Sequence, residues 1–230
     1  MSTRILITGA ASGIGAATAA ELRSRGARVL GLDLSAPDGE TIECDVREQE
    51  WVERAVVEAT ERLGGLDVLI NNAGVGMSQS AGKPPDAEAL AVIDVNLLGP
   101  WRVTAAAMPA LLAARGRVVN VASGLAHLSV PFATAYCMSK RGLVAYSDAL
   151  RLEYGGSITV TTVYPGYIRT PIHASSRATG FGRRASCPRS PWPPRPTRSP
   201  ARHSAHRSAT WRPRARAPSP TRSSGARRAG

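Results

Sequence analysis

The stretch RILITGAASGIG, residues 4–15, decides the fold of this 230-residue chain. Its first five residues are mostly apolar and partly β-branched, which predicts a buried strand, and the Ala-rich residues after Gly15 predict a helix. Gly9, Gly13 and Gly15 let the backbone approach a pyrophosphate closely, and a helix N-terminus offers free N–H groups. The stretch therefore predicts a strand, an anion-binding turn and a helix, although a tight connection without a ligand fits the same residues.

Strand and helix patterns alternate along the rest of residues 1–180. Apolar runs predict strands at 4–8, 27–32, 41–44, 66–71, 117–122 and 158–164, and longer periodic runs predict helices at 13–25, 47–63, 87–114 and 134–154. This alternation predicts an α/β fold, a single Rossmann-like domain with a doubly wound parallel sheet. Polar or glycine residues follow four of the strands and are expected on one rim, namely Gly9, Asp33, Asn71 and Ser123.

The sequence YCMSK, residues 136–140, contains one of only two lysines in the chain, the other being Lys83. Tyr136 and Lys140 are four residues apart, so on a helix they share one face. The ammonium could then lower the pKa of the phenol from about 10 toward neutrality, which would make Tyr136 a general acid/base. Such a pair also occurs by chance on an exposed helix.

Asp33 ends the second predicted strand, eighteen residues after Gly15. An acidic residue at about this separation accepts hydrogen bonds from an adenosine ribose in dinucleotide-binding folds. Neither Ser12 nor Leu34 supplies a positive charge for a 2′-phosphate, which favours NAD(H) over NADP(H). A carboxylate that only caps a loop is the alternative.

Together these residues resemble the short-chain dehydrogenase/reductase family in its shorter, non-extended form. The resemblance covers residues 4–172, with the motifs in the family's order. It implies a catalytic set of Asn96, Ser123, Tyr136 and Lys140. It also implies cofactor contacts from both Tyr136 and Lys140 and from Thr8, Gly9, Ser12, Gly13, Ile14, Gly15, Asp33, Asp45, Val46, Asn72, Ala73, Gly74, Pro165, Gly166 and Thr170.

The resemblance implies hydride transfer between NAD(H) and a secondary alcohol or ketone. Ser123 would hold the substrate oxygen and Tyr136 would donate or remove its proton. Lys140 would bias Tyr136 electrostatically and bind the nicotinamide ribose, while Asn96 would complete a proton path through water.

Pro100 bears on the role of Asn96, which lies four residues earlier in a predicted helix. A proline has no N–H to donate to the carbonyl of residue i−4. The Asn96 carbonyl is thereby freed to bind a water that also contacts Lys140, although a kink without catalytic meaning would free the same carbonyl.

Residues 181–230 differ from the rest of the chain. They hold 13 arginines and 9 of the 17 prolines, but no acidic residue and no Val, Leu, Ile or Met. This composition predicts a disordered tail. Because the family has a further strand and helix at this point, we interpret the tail as the product of a shifted reading frame; an evolved basic tail that binds nucleic acid or an anionic membrane is the alternative.

The remaining features limit the function further. Cys44, Cys137 and Cys187 have no paired spacing, which favours reduced thiols, and the four histidines form no metal-ligand pattern. We find no signal peptide and no long apolar span, so we expect a cytoplasmic protein with a small-molecule substrate. The family implies a homo-oligomer, against which the missing strand and helix argue here. A catalytically inactive nucleotide-binding or nucleic-acid-binding protein is the alternative function.

Overall fold

Six strands form one parallel sheet in the order β3-β2-β1-β4-β5-β6 in a computed structural model of the chain. The structure describes residues 2–36, 39–76 and 78–168, so the predictions for Thr170 and for the tail at 181–230 lie outside it. Every strand pair is parallel, which confirms the predicted fold. The strands are β1 Arg4–Thr8, β2 Arg28–Asp33, β3 Thr41–Glu43, β4 Val68–Asn71, β5 Arg117–Val121 and β6 Thr159–Val163.

Strand order reverses between β1 and β4, which places a crevice at the carboxyl ends of these two central strands. The helices are α1 Gly13–Ser24, α2 Gln49–Leu63, α3 Ala87–Ile93, α4 Gly99–Ala114 and α5 Thr134–Tyr154, with a short 3-10 turn at Gly124–Ala126. Apart from the helix predicted at 87–114, which is divided, the predicted strands and helices are present, with ends that differ by one to a few residues.

The two faces of the sheet have separate cores because side chains alternate along each strand. Face A, which carries Leu6, Leu69 and Val118, packs against α2 and α4. Face B carries Ile5 and Ile70 and packs against α1. Within the described residues, α1 is the only helix on face B.

The helix predicted at 87–114 is interrupted, and this part of the prediction is wrong. Residues Asp94–Leu98 form a π-helical turn between α3 and α4, in which the Gly99 N–H donates to Asp94 O, five residues earlier. Pro100 follows directly and cannot donate, so the change of register occurs where the α-helical hydrogen-bond ladder is already broken. Asn96 lies at the centre of this turn.

The combined span Ala87–Ala114 is long and apolar enough to cross a membrane, judged by length and composition alone, because an 18-residue window within it has a mean hydropathy of 1.2. The expectation of no long apolar span is wrong by that measure. Val92, Val103 and Leu111 of the span are fully buried within the protein. A core helix of a globular protein meets the same criterion, but only 33% of the apolar window is buried within the protein.

Buried polar side chains connect β4 and β5 to the helices on face A. Asn71 Nδ2 donates to Asn120 Oδ1 at 2.8 Å and to Thr104 Oγ1 of α4 at 2.9 Å. Asn120 Nδ2 donates in turn to Ser147 Oγ of α5 at 2.8 Å. These four residues, which we call the amide network, are all almost completely buried.

Strand β6 pairs only with β5 within the described residues, as expected for an uncovered edge. Arg151 of α5 reaches over this edge: its Nε donates to Val160 O at 3.0 Å, and its Nη2 donates to Thr162 Oγ1 at 2.6 Å. A charged side chain at an edge strand opposes pairing with another chain.

Candidate active site

The glycine-rich turn after β1 is too tightly packed for larger residues. Gly9 has φ +70°, and a Cβ on Gly15 would lie 1.9 Å from Gly9 O. Asn72 closes the turn from β4, since its Nδ2 donates to Thr8 O at 3.0 Å and to Gly9 O at 3.1 Å. The Thr8 hydroxyl accepts the backbone N–H groups of Asn72 and Ala73.

The N-terminus of α1 fits the phosphates of a dinucleotide. The Ser12 side chain makes no capping hydrogen bond, and the first turn holds no acidic residue. Because the first helical hydrogen bond runs from Ala16 N–H to Ser12 O, the N–H groups of Gly13, Ile14 and Gly15 have no partner within the helix. These groups, with the helix dipole, are available to bind an anion, as the sequence predicted.

The Asp33 carboxylate lies beside this turn. Its Oδ2 accepts the Ala11 N–H at 2.9 Å, and its Oδ1 accepts the Ser35 N–H at 3.3 Å. Each carboxylate oxygen can accept more than one hydrogen bond, so capacity for ribose hydroxyls remains. The structure thus places Asp33 at the turn, where the sequence predicted a ribose contact.

Asp45 and Val46 are also near the crevice, but Asp45 already has a partner. Both carboxylate oxygens accept from Arg47, at distances of 2.6 to 3.0 Å. These hydrogen bonds hold the pKa of the Asp45 carboxyl below its ordinary value. An adenine contact through this carboxylate would have to compete with Arg47, which sequence reasoning did not foresee.

Asn96 is completely buried and fully engaged by the protein. Its Oδ1 accepts the Val75 N–H at 2.9 Å, and its Nδ2 donates to Val75 O at 2.9 Å and to Ser139 Oγ at 3.2 Å. Gly74 lies between this amide and Lys140, because a Cβ on Gly74 would be 3.2 Å from Asn96 Oδ1 and 3.6 Å from Lys140 Nζ. Asn96 and Lys140 of the predicted catalytic set therefore lie next to Gly74, one of the predicted cofactor residues.

The Ser123 side chain is close enough to the Tyr136 phenol to act on its pKa. Ser123 follows β5 and also accepts the Leu125 N–H, while Tyr136 lies in the first turn of α5. Lys140 is buried, with Nζ donating to Val121 O at 2.9 Å and lying 5.8 Å from the centre of the Tyr136 ring. Serine, tyrosine and lysine thus meet at the carboxyl end of β5.

The pKa of Tyr136 does not follow the prediction. Burial raises the pKa of its phenol, and the hydrogen bond from Ser123 offsets this only in part. Burial also lowers the pKa of Lys140 from 10.5 to about 8. The ammonium is bound to a carbonyl rather than to the phenol oxygen, so the residues of this chain do not by themselves lower the pKa of Tyr136.

The turn at Pro165 and Gly166 lies beside Ser123. Strands β5 and β6 stay in register past their ends, since Ala122 N–H donates to Val163 O at 2.8 Å and Gly124 N–H donates to Pro165 O at 3.1 Å. Of the implied cofactor residues, only Thr170 lies outside the described part of the chain.

Sequence reasoning missed three partners of the catalytic set. They are Val75, whose backbone binds Asn96; Ser139, which accepts from Asn96 and donates to Tyr136 O at 2.8 Å; and Val121, whose carbonyl holds Lys140. Ser139 could have been noticed in the sequence, because it is a small polar residue between Tyr136 and Lys140. The two backbone contacts had none.

Comparison with known proteins identifies the family of this chain. The family model described as short chain dehydrogenase matches residues 3–180. The chain therefore belongs to the short-chain dehydrogenase family of oxidoreductases, whose members act on small-molecule substrates. The match ends where the composition of the sequence changes.

Two relatives with assigned names show the range of the family. The chain is 35% identical over 187 residues to the oxidoreductase UcpA of Escherichia coli, covering 74% of this chain and 71% of that protein. It is 36% identical over 189 residues to human retinol dehydrogenase 16, covering 75% of this chain but only 59% of the relative.

Solved structures show the same fold. The aldohexose dehydrogenase of Thermoplasma acidophilum superimposes with a TM-score of 0.74 at 28% identity, covering 79% of this chain and 73% of that chain. An alcohol dehydrogenase of Thermococcus sibiricus in complex with 5-hydroxy-NADP superimposes with a TM-score of 0.67 at 25% identity, covering 72% and 77%.

Proposed function

We propose that this protein reduces a ketone or oxidises a secondary alcohol with NAD(H), and that Tyr136 is its general acid/base. The observation that carries the proposal is that Ser123, Tyr136 and buried Lys140 come together at the carboxyl end of β5, with Lys140 Nζ 5.8 Å from the centre of the Tyr136 ring. This group lies at the same rim of the sheet as the glycine turn, which fits a dinucleotide. When bound, the nicotinamide would supply or accept the hydride.

The chain's own residues would manage the substrate oxygen. The Ser123 hydroxyl would hold it by a hydrogen bond, and the Tyr136 phenol, kept protonated near neutral pH by its raised pKa, would donate a proton to it. Lys140 would stabilise the phenolate as it forms. Below about pH 8 Lys140 is mostly charged, so this support is strongest there.

Asp33 supports NAD(H) rather than NADP(H) as the cofactor. Its carboxylate would repel a 2′-phosphate. Within the described residues Asp33 forms no salt bridge, so no cation neutralises it. The NADP analogue in the Thermococcus enzyme belongs to that protein and does not decide the preference here.

The test is a screen of ketones by the loss of NADH absorbance, followed by Tyr136→Phe with an active substrate. Removing the phenol oxygen should lower kcat by at least about a hundredfold, the low end for general acid catalysis. NADH binding should change little. Tyr154→Phe, the same substitution at the far end of α5, should leave kcat unchanged. Retained turnover in Tyr136→Phe would reject the assignment.

Nucleic-acid binding is a second candidate, favoured by the 13 arginines at 181–230. Titration with duplex DNA over a salt series distinguishes the two candidates. Affinity for DNA that falls steeply with salt would support a basic tail of this function, whereas NADH binding at the crevice should depend little on salt.

A further inference from the structure

Ser139 lies on α5 between Tyr136 and Lys140, and its side chain is completely buried. Its Oγ donates to Tyr136 O at 2.8 Å and accepts from Asn96 Nδ2 at 3.2 Å. A serine hydroxyl has a single proton, so the donation to Tyr136 O fixes its orientation and leaves a lone pair for Asn96. This one hydroxyl therefore joins the backbone of Tyr136 to the π-helical turn.

The bond from Asn96 distinguishes Ser139 from an ordinary helical serine. A serine that donates back to a carbonyl of its own helix is common and by itself has no functional meaning. The bond from Asn96, however, enters α5 from another element. Asn96 is also bound to both backbone polar groups of Val75, in the loop after β4. The connection thus runs from that loop through Asn96 and Ser139 to the carbonyl of Tyr136.

The Asn96 amide has no spare hydrogen-bonding donor for any other partner. One of its Nδ2 protons goes to Val75 O and the other to Ser139 Oγ. Both Asn96 and Ser139 are 0% exposed, so water cannot replace either contact without entering the core. An unpaired amide proton is costly in such surroundings, which keeps the connection closed.

Tyr136 lies where α5 is held least by its own hydrogen bonds. It is in the first turn, and the first helical bond runs from Cys137 N–H to Ala133 O. Ala133, the residue before the helix, has no side-chain oxygen to cap it. A bond to Tyr136 O that originates in another element therefore fixes a part of α5 that would otherwise be free to shift.

We propose that Ser139 is a positioning residue, which keeps the Tyr136 phenol aligned for proton transfer by tying the Tyr136 backbone to Asn96. The proposal rests on the proposed function, in which Tyr136 is the general acid/base. Proton transfer requires the phenol within hydrogen-bond distance of the substrate oxygen, and a misplacement of about 1 Å can lower the rate about a hundredfold. Ser139 acts through Tyr136 and needs no contact with the substrate.

Ser147 provides a matched control, eight residues further along α5. It is also completely buried, and its Oγ donates to Leu143 O at 2.7 Å and accepts from Asn120 Nδ2 at 2.8 Å. Both serines thus make one bond back to their helix and receive one from an asparagine amide. Because Ser147 is about 12 Å further along the helix axis, Ser147→Ala removes the equivalent contacts away from Tyr136.

The first measurement is the kinetics of the full chain with a ketone that the unmodified protein reduces. Ser139→Ala should lower kcat about tenfold or more, with KM for the ketone and affinity for NADH changed less than about twofold. The solvent isotope effect on kcat should increase, because proton transfer becomes slower. Ser147→Ala should change none of these, although urea denaturation should show a similar loss of stability in both variants.

Cys137 provides a second measurement that does not depend on turnover. It is a buried free thiol directly after Tyr136, so it becomes reactive only when the first turn of α5 opens. N-ethylmaleimide should therefore modify Cys137 at least about tenfold faster in Ser139→Ala than in the unmodified chain. Peptide mass spectrometry assigns the modification to Cys137, and Ser147→Ala should leave its rate unchanged.

Unchanged kcat in Ser139→Ala, with kcat lost in Tyr136→Phe, would overturn the positioning role and leave the proposed function intact. Turnover retained in Tyr136→Phe would instead reject the proposed function, and the rate at Cys137 would still show whether Ser139 holds the first turn. Equal rates at Cys137 in Ser139→Ala and the unmodified chain, or equal changes in Ser139→Ala and Ser147→Ala, would show that Ser139 contributes only general stability.

Discussion

Asn96 and Val75 exchange a pair of hydrogen bonds, with Asn96 Oδ1 accepting the Val75 N–H and Asn96 Nδ2 donating to Val75 O, both at 2.9 Å. This pair joins the loop after β4 to the π-helical turn. Asn96 therefore anchors the loop after β4 through its side chain, which leaves only its backbone carbonyl for a bound water. A structural and a catalytic role for Asn96 can be separated by measuring stability and kcat together.

Asn96→Asp keeps the acceptor but replaces the donor by a second oxygen that faces Val75 O. We expect a loss of about 1 to 3 kcal/mol in the free energy of unfolding, the range for an unsatisfied buried polar group, together with lower kcat. Urea denaturation provides the measurement, with Tyr136→Phe as the control that loses kcat alone. Unchanged stability of Asn96→Asp would show that the paired hydrogen bonds contribute nothing.

Asp33 should set the cofactor preference. The unmodified protein should bind NADH more tightly than NADPH, and Asp33→Ala should narrow the difference by removing the charge that opposes the 2′-phosphate. Asp33→Asn, which keeps the shape of the side chain, should narrow it as well. Titration of protein fluorescence with both cofactors is the measurement, and equal affinities before substitution would reject the assignment.

Gly15→Ala should abolish cofactor binding. Its new Cβ would lie 1.9 Å from Gly9 O, a backbone atom, so the turn itself must move. Gly156→Ala is the matched control, because a Cβ there meets nothing within 4 Å. NADH binding at the level of the unmodified protein in Gly15→Ala would show that the turn does not hold the cofactor.

Lys140 should make stability depend on pH. Because its pKa is about 8 in the folded protein against an ordinary 10.5, the unfolded chain binds more protons between these values, and stability rises with pH in that window. The stability of Lys140→Met relative to the unmodified chain should therefore fall by about 3 kcal/mol as the pH rises from 7.5 to 10.5. Denaturation of both proteins at matched pH is the measurement, and a constant difference would contradict the buried charge.

Brief trypsin treatment should remove residues beyond about Arg183, because the segment from 181 is rich in arginine and poor in residues that could form a core. The remaining fragment should aggregate and show little activity. Restoring the reading frame after about Gly182 should yield a soluble, active oligomer. A monodisperse, active 230-residue protein whose tail resists trypsin would disprove the frameshift interpretation, and the intact mass from the native source provides a direct check.

Local pattern was enough to predict the six strands, the glycine turn and the shared face of Tyr136 and Lys140, whereas the meeting of Ser123 with this pair was predicted from the family resemblance. These features depend on residues close in sequence or on the common rim of a parallel sheet. The π-helical turn could be predicted only in part, because Pro100 shows that one helical hydrogen bond is lost but not how the helix rearranges.

The features that could not be predicted from the sequence depend on burial or on contacts between residues that are far apart in the chain. The raised pKa of Tyr136 follows from how deeply the ring packs, which the spacing to Lys140 does not reveal. The hydrogen bonds from Arg47 to Asp45, and those between the Val75 backbone and Asn96, likewise depend on the path of the loops. The bond from Asn96 to Ser139 required the relative positions of the π-helical turn and α5.

The amide network also determines which alignment of the central strands is allowed. Asn71 and Asn120 are direct neighbours in the register of β4 and β5. A slip of β5 by one residue would turn Asn120 to the opposite face, away from Asn71 and Ser147. The polar groups of Asn71 and Ser147 would then lack a hydrogen-bond partner among apolar side chains. An apolar pair would tolerate such a shift more easily. The network therefore destabilises sheets in which β5 is out of register. In the observed register, Gly74 and Ser123 reach the rim at the same level.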